Sequence, residues 1–204
     1  MSPRRTGLLL AIEGIDGAGK STLAAALVRT SRRHGLRAVA RHEPNDPRLG
    51  RLAQREARRD AWTGAVYFTL DRAEARPALE RALATHDLVV ADRSFYSTVA
   101  YQGGALGPRG RQRIEALSRR ATVPPDRVVL LDLSARVAVE RLGKRGRVRG
   151  PLEQYRTLAR VAADYRELAR RHRWTVLDAR SPLPELVAAS WAVVDRARRR
   201  LRRT

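Results

Sequence analysis

Residues 14–21, Gly14-Ile15-Asp16-Gly17-Ala18-Gly19-Lys20-Ser21, spell G-x-x-x-x-G-K-S directly behind the apolar run Leu8-Leu9-Leu10-Ala11-Ile12. A buried strand ending in a glycine turn that opens a helix is the setting in which this string holds phosphate. Backbone N–H groups of the turn and the helix N-terminus then cradle a polyphosphate. Lys20 would reach the β- and γ-phosphates, Ser21 would hold Mg²⁺, and Thr22 completes the ATP-binding stretch. A glycine turn that binds nothing is the plain alternative. The fitting flanks speak against it, as does the fact that Lys20 is one of only two lysines in the chain. The string predicts a nucleotide-binding protein.

A second group closes another apolar run, Leu88-Val89-Val90-Ala91-Asp92-Arg93. An acid at that strand end, beside the phosphate loop, can order the waters of Mg²⁺. Arg93 can bridge donor and acceptor phosphates in a transfer that is largely electrostatic. The alternative is a strand-end salt bridge. Phe68 and Arg72 lie one helical turn apart, so a ring could face a base while a guanidinium bonds its edge. Thr98 and Gln102 repeat that spacing, with Tyr101 alongside. A lone Phe on a helix is commonly core, so these pairs take their meaning from the larger pattern.

Residues 142–150 carry glycine hinges around Lys144, Arg145, Arg147 and Arg149. A cationic flap that closes over phosphates would have this composition, and so would a solvated basic loop. His34, His42, His86 and His172 show no metal-ligand spacing, and no Ser/His/Asp arrangement is present. A phosphate monoester has a second pKa of about 6 and is mostly dianionic at neutral pH. Transfer to such an acceptor needs positioning and charge neutralisation, with no general base.

The elements that must position these groups follow from periodicity. Short Leu/Val/Ile/Ala strands are expected near 7–13, 36–41, 87–91, 127–133 and 173–178. Helices are expected near 19–34, 47–59, 63–85, 95–104, 108–120, 134–145, 152–171 and 183–200, with Gly35 as the stop of the first. The alternation predicts an α/β fold with a five-stranded parallel sheet flanked by helices, three layers of the P-loop NTPase type. Ligands belong at the carboxyl ends of its strands. No repeat or composition break divides the chain, so 1–204 is expected to be one domain with a lid at about 143–152.

The chain has 204 residues and no cysteine, which removes disulfides, thiolate metal sites and Cys nucleophiles. No run approaches the ~20 apolar residues of a membrane span and no signal peptide is evident, so a cytoplasmic location is expected. Lys plus Arg number 42 against 21 acids, a net charge of +21. The excess is spread over pairs such as Arg32-Arg33, Arg58-Arg59 and Arg170-Arg171 near expected helix ends, where water and the helix dipole suit it. Aromatic residues are 5% of the chain, too few for single-strand stacking platforms. Nucleic acid is therefore not the expected partner.

Taken together, the motifs resemble the thymidylate kinase family of P-loop nucleoside monophosphate kinases. The resemblance runs from about Leu8 to Val193. It includes residues 13–22, Glu43-Pro44, 67–72, Asp92-Arg93, 97–103, the Arg-rich lid and 165–169. It implies Mg-assisted transfer from ATP to dTMP, and a homodimer. Phe68 would stack on thymine, Arg72 would bond its O4 edge, and Thr98 and Gln102 would contact it from the facing helix. Tyr101 would disfavour a ribose hydroxyl, and Asp16 would sit by the 3′-hydroxyl and the acceptor phosphate. Glu43 and Arg51 would join the acceptor side. Gly17 stands where one subclass has a phosphate-loop arginine, so lid arginines would serve the transferred group, with Arg149 the best match and Arg145 and Arg147 its neighbours.

Three departures accompany the resemblance. The family's Arg-Glu-Pro is His42-Glu43-Pro44 here, Asp-Arg-Tyr is Asp92-Arg93-Ser94, and an acceptor-phosphate arginine falls on Gln54, with Arg51 and Arg55 within a turn of it. They keep open a paralogue acting on another pyrimidine nucleotide or a deoxynucleoside. A P-loop regulator that uses its basic surface on nucleic acid is a third reading, in which the base-pocket pairs would have no purpose.

Overall fold

The computed structural model describes residues 7–144, 146 and 151–201. Its centre is a five-stranded sheet, every pairing parallel, in the order β2 (Ala38–His42), β3 (Leu88–Asp92), β1 (Leu8–Glu13), β4 (Arg127–Asp132), β5 (Thr175–Asp178). The three inner strands read as near-continuous aliphatic runs because both faces are covered, and all of β1 and β3 is buried. The two edge strands alternate in exposure instead.

Among the described residues eight α-helices fill the connections: α1 (Lys20–Arg33), α2 (Pro47–Ala57), α3 (Ala61–Thr85), α4 (Phe95–Tyr101), α5 (Gly107–Ala121), α6 (Ala135–Gly143), α7 (Pro151–His172) and α8 (Leu183–Leu201). Helices α1 and α8 pack together, and both touch the sheet. Leu9, Val89 and Ala91 meet Leu83 and Leu79 of α3 in a separate cluster, so the alternation along β1 and β3 feeds two cores. Residue 14 follows β1, and residues 93 and 43 follow β3 and β2. Parallel pairing thus brings the phosphate loop, Arg93 and Glu43 to one edge.

The expected elements are all present, with shifted ends. Helix α3 begins at Ala61 because Asp60 caps it, accepting from Thr63 N at 2.6 Å. Gly35 closes α1 at φ 76°. The helix expected over 95–104 stops at Tyr101 and continues as a 3-10 turn over Gly103–Leu106. Arg160 of α7 explains the stop: its guanidinium donates to Tyr101 O at 3.0 Å and Ala100 O at 3.4 Å, taking up carbonyls a longer helix would have used. A Cβ at Gly104 would meet Asp164 Oδ2 and Arg160 Nη1, so both side chains would have to shift to admit one.

Candidate active site

A cleft of about 740 Å³ opens over the carboxyl edge of the sheet, walled by the phosphate loop, the ends of β2 and β3, and helices α2, α3, α4 and α7. The loop itself is shaped by glycine. Gly14 sits at φ 145°, where a Cβ would lie 2.6 Å from Leu131 O, and Gly19 at φ 96° turns the chain into α1. Arg141 of α6 straps the loop from outside, donating to Gly17 O at 3.3 Å and to Ala179 O at 3.1 Å.

Lys20 is buried at the start of α1, its Nζ donating to Ile15 O at 2.9 Å. Burial, with Arg93 close by, holds its pKa down from 10.5 to about 8. Ser21 Oγ donates to Asp92 Oδ2, which also meets His42 Nδ1 at 3.1 Å. Burial acts to raise the Asp92 pKa, yet the bonds from His42 and Ser21 and the charge of Lys20 bring it below the usual carboxylate value. The other oxygen, Asp92 Oδ1, is buried without a hydrogen-bond partner among the described residues.

Arg93 stands at φ 79°, a strained setting for a side chain of this size. Its backbone N–H bonds Ile12 O at 3.0 Å, its Nη2 donates to Asp16 Oδ1, and its Nη1 donates to Ser97 Oγ at 3.1 Å. The guanidinium lies 5.4 Å from the Tyr101 ring centre, and Tyr101 OH accepts the Asp16 N–H at 3.1 Å. Burial and the nearby Asp16 push the Tyr101 phenol pKa upward, so it is neutral.

On the opposite wall Arg72 is buried and heavily committed. Its Nε donates to Glu43 Oε2 at 2.7 Å, Nη1 to Thr98 Oγ1 at 2.8 Å and Phe68 O at 3.3 Å, and Nη2 to Ser94 O at 3.1 Å. Burial raises the Glu43 pKa against the pull of Arg72. Phe68, Thr98, Tyr101 and Gln102 all line the same cleft. So do Asp16, Gly17, Gly19, Lys20, Ser21, Thr22, Glu43, Arg72, Asp92 and Arg93, while Ile15 and Ala18 are buried behind the loop. Arg51 is not brought there. It lies exposed on α2, and the residues of that helix that line the cleft are Gln54 and Ala57, together with the cap residue Arg58. The lid arginines 145, 147 and 149 lie outside the described residues.

Sequence reading missed Glu13. This buried carboxylate at the end of β1 accepts from Ser94 N and Ser94 Oγ, both at 2.7 Å, Ser97 Oγ at 2.7 Å and Tyr165 OH at 2.9 Å. Ser97 in turn holds Arg93, so Glu13 anchors the floor of the site. An acid at the last position of a buried strand, directly ahead of a phosphate loop, was the available signal. Ser94 does more than fill the family's aromatic position: it also caps α4, accepting from Tyr96 N at 3.3 Å.

A parallel sheet with this loop at its edge, facing a wall of committed arginine and aromatic groups across one cleft, defines a P-loop phosphotransferase. Sequence comparison narrows the class. The thymidylate kinase family profile matches residues 12–190. A probable thymidylate kinase of Archaeoglobus fulgidus is 34% identical over 181 residues, covering 88% of this chain and 90% of the relative. One from Metallosphaera sedula is 33% identical over 187 residues, covering 92% of each. A thymidylate kinase of Xanthomonas oryzae pv. oryzae is 38% identical over 195 residues, covering 92% of this chain and 83% of the relative. The chain belongs to the thymidylate kinase family.

Proposed function

We propose that this protein transfers the γ-phosphoryl group of ATP to dTMP, releasing ADP and dTDP. The observation that carries the reading is the cleft itself, with Lys20 and Arg93 at one end and the Phe68–Arg72–Thr98 group at the other. The names of its relatives favour dTMP over another pyrimidine nucleotide or a deoxynucleoside.

Arg72 supports the choice of base. A guanidinium has five N–H donors, and four are spent on Glu43, Thr98, Phe68 O and Ser94 O. One Nη2 hydrogen is left, enough for a single carbonyl such as thymine O4. Phe68 offers its ring to the base face, Gln102 approaches from α4, and Tyr101 stands by the sugar with Asp16. The loop backbone of residues 14–22 holds the donor phosphates, Lys20 and Arg93 neutralise the transferring group, and the lid arginines, Arg149 foremost, complete the charge.

The Ser21–Asp92 pair fits Mg²⁺. Its donors are hard oxygens, Asp92 Oδ1 is a buried acceptor in want of a partner, and no three-acid metal cluster exists among the described residues. That pattern suits an ion held largely by phosphate and water. When bound it supplies charge neutralisation at the phosphate oxygens, with Ser21 and Asp92 holding it.

The same reading takes residues 1–204 as one kinase domain, located in the cytoplasm; among the described residues no helix is long and apolar enough to cross a membrane. Pairing into a homodimer is supported by Trp62, Val66 and Leu70, exposed at successive turns of α3. A coupled ADP-release assay over a panel of nucleoside monophosphates with Mg-ATP tests the activity. dTMP should be the best acceptor; absence of turnover with it would remove the proposal.

A further inference from the structure

Lys20 and Arg93 serve the transferring group, and a phosphate dianion at the acceptor end calls for a further cation that the protein does not already pair. Five basic side chains among the described residues line the cleft: Lys20, His42, Arg58, Arg72 and Arg93. Four are engaged. Arg93 is bonded to Asp16, Arg72 to Glu43, and His42 to Asp92, while Lys20 points into the phosphate loop at Ile15 O. Arg58 differs. Its backbone N–H bonds Arg55 O at 3.3 Å, and its guanidinium has no partner among the described residues.

Its place on the helix is equally specific. Gln54, Ala57 and Arg58 share the face of α2 that meets the cleft. Arg58 keeps helical dihedrals, φ −76° and ψ −24°. Side chains on a helix lean toward its N-terminus, so Arg58 shares one side of the helix with Gln54, a turn earlier. Its neighbours are spent elsewhere: Arg55 and Arg59 both pair with Glu56, at 2.8 and 3.9 Å.

We propose that Arg58 grips the phosphate of the acceptor nucleotide, the task for which Gln54 has no charge and Arg51 no place in the cleft. The proposal rests on dTMP being the acceptor and names one contact that reading leaves open. A planar guanidinium binds phosphate oxygens through two parallel N–H bonds. The contact serves the phosphate and leaves the base alone, and this separates it from a general effect on the pocket.

Calorimetric titration of dTMP and of thymidine, which lacks the phosphate, reads the difference. Arg58→Ala should weaken dTMP about tenfold or more and leave thymidine within about twofold, with Arg58→Lys in between and Arg51→Ala near wild type for both ligands. An unchanged melting temperature is expected, since the side chain is exposed at a helix end. Equal losses for dTMP and thymidine in Arg58→Ala, no loss for either, or a phosphate-dependent loss in Arg51→Ala would overturn the assignment. A wild-type protein that binds neither ligand would retire the dTMP reading, and this proposal with it.

Discussion

The loop end of the cleft is one continuous stretch of backbone, residues 14–22, whose N–H groups and glycine dihedrals make the binding surface. The acceptor end collects side chains from four separate places: Glu43 after β2, Arg58 after α2, Phe68 and Arg72 on α3, and Thr98 to Gln102 on α4. A surface made of backbone leaves little freedom, because each glycine conformation is needed where it stands. One made of side chains can lose a group and regain it a turn away, since any residue on the right face reaches the same space. The departures at His42, Ser94 and Gln54 all fall outside the loop, as that difference in construction leads one to expect.

The largest effect should come from the loop end. Lys20→Met should lower turnover at least about a thousandfold, because the ammonium acts on charge in transfer. The same change should stabilise the ligand-free fold. The folded chain holds the Lys20 proton less tightly than the unfolded chain, whose lysine titrates at the ordinary value of 10.5 against about 8 when folded. Wild type therefore carries a penalty that is fully present below about pH 8 and fades as pH climbs toward 10.5. Urea midpoints should show the variant's advantage widest near neutrality and narrowing by about pH 9.5. An advantage that grew with pH would mean that the buried charge is not its source.

Arg72→Ala should be the costliest change for the acceptor wall's own stability. It strips a buried cation from Glu43 and leaves Thr98 and Ser94 O short of a donor. Breaking a buried pair in this way costs about 3 kcal/mol, readable as a fall in the midpoint of chemical unfolding. The partnered variant Arg72→Met with Glu43→Gln should recover part of that loss, because no unpaired charge remains, while dTMP binding stays poor. Recovery of both together would mean that Arg72 serves the fold alone.

The same contrast explains what the sequence made legible. The five strands and eight helices follow from local signals: aliphatic runs, capping residues and a glycine stop, each within a few residues of the element it governs. The loop is legible because its chemistry is contiguous. The role of Glu13 was not, because its donors lie 81, 84 and 152 residues away, and no local pattern links a strand-end acid to Ser94, Ser97 and Tyr165. Counting along the chain points to Arg51 and Arg55 beside Gln54, but it does not say which side of α2 meets the cleft, where Gln54, Ala57 and Arg58 stand. Likewise, the stop of α4 at Tyr101 depends on Arg160, a residue on another helix.

Phe68→Ala tests the aromatic part of the wall. A ring over a base contributes on the order of 1–3 kcal/mol, so KM for dTMP should rise about 10- to 100-fold while KM for ATP holds. The ring is only partly buried, so the melting temperature should fall little. A large loss of stability with an unchanged KM would return Phe68 to the core.

The smallest effect is the most diagnostic of the two constructions. Gln54→Arg adds a second guanidinium to the face that Arg58 occupies, one helical turn away. If the acceptor wall is short of charge, KM for dTMP should fall about threefold to tenfold, in the range of one charge-assisted hydrogen bond partly screened by solvent. KM for ATP should not move, and the gain should shrink in high salt. Thymidine, tested as an inhibitor, should gain nothing. No comparable single substitution should improve the loop end, where backbone groups already fill the surface and Gly14 has no room for a Cβ. A dTMP affinity unmoved by Gln54→Arg would show that Arg58 already meets the phosphate's need, and the wall would then be as complete as the loop it faces.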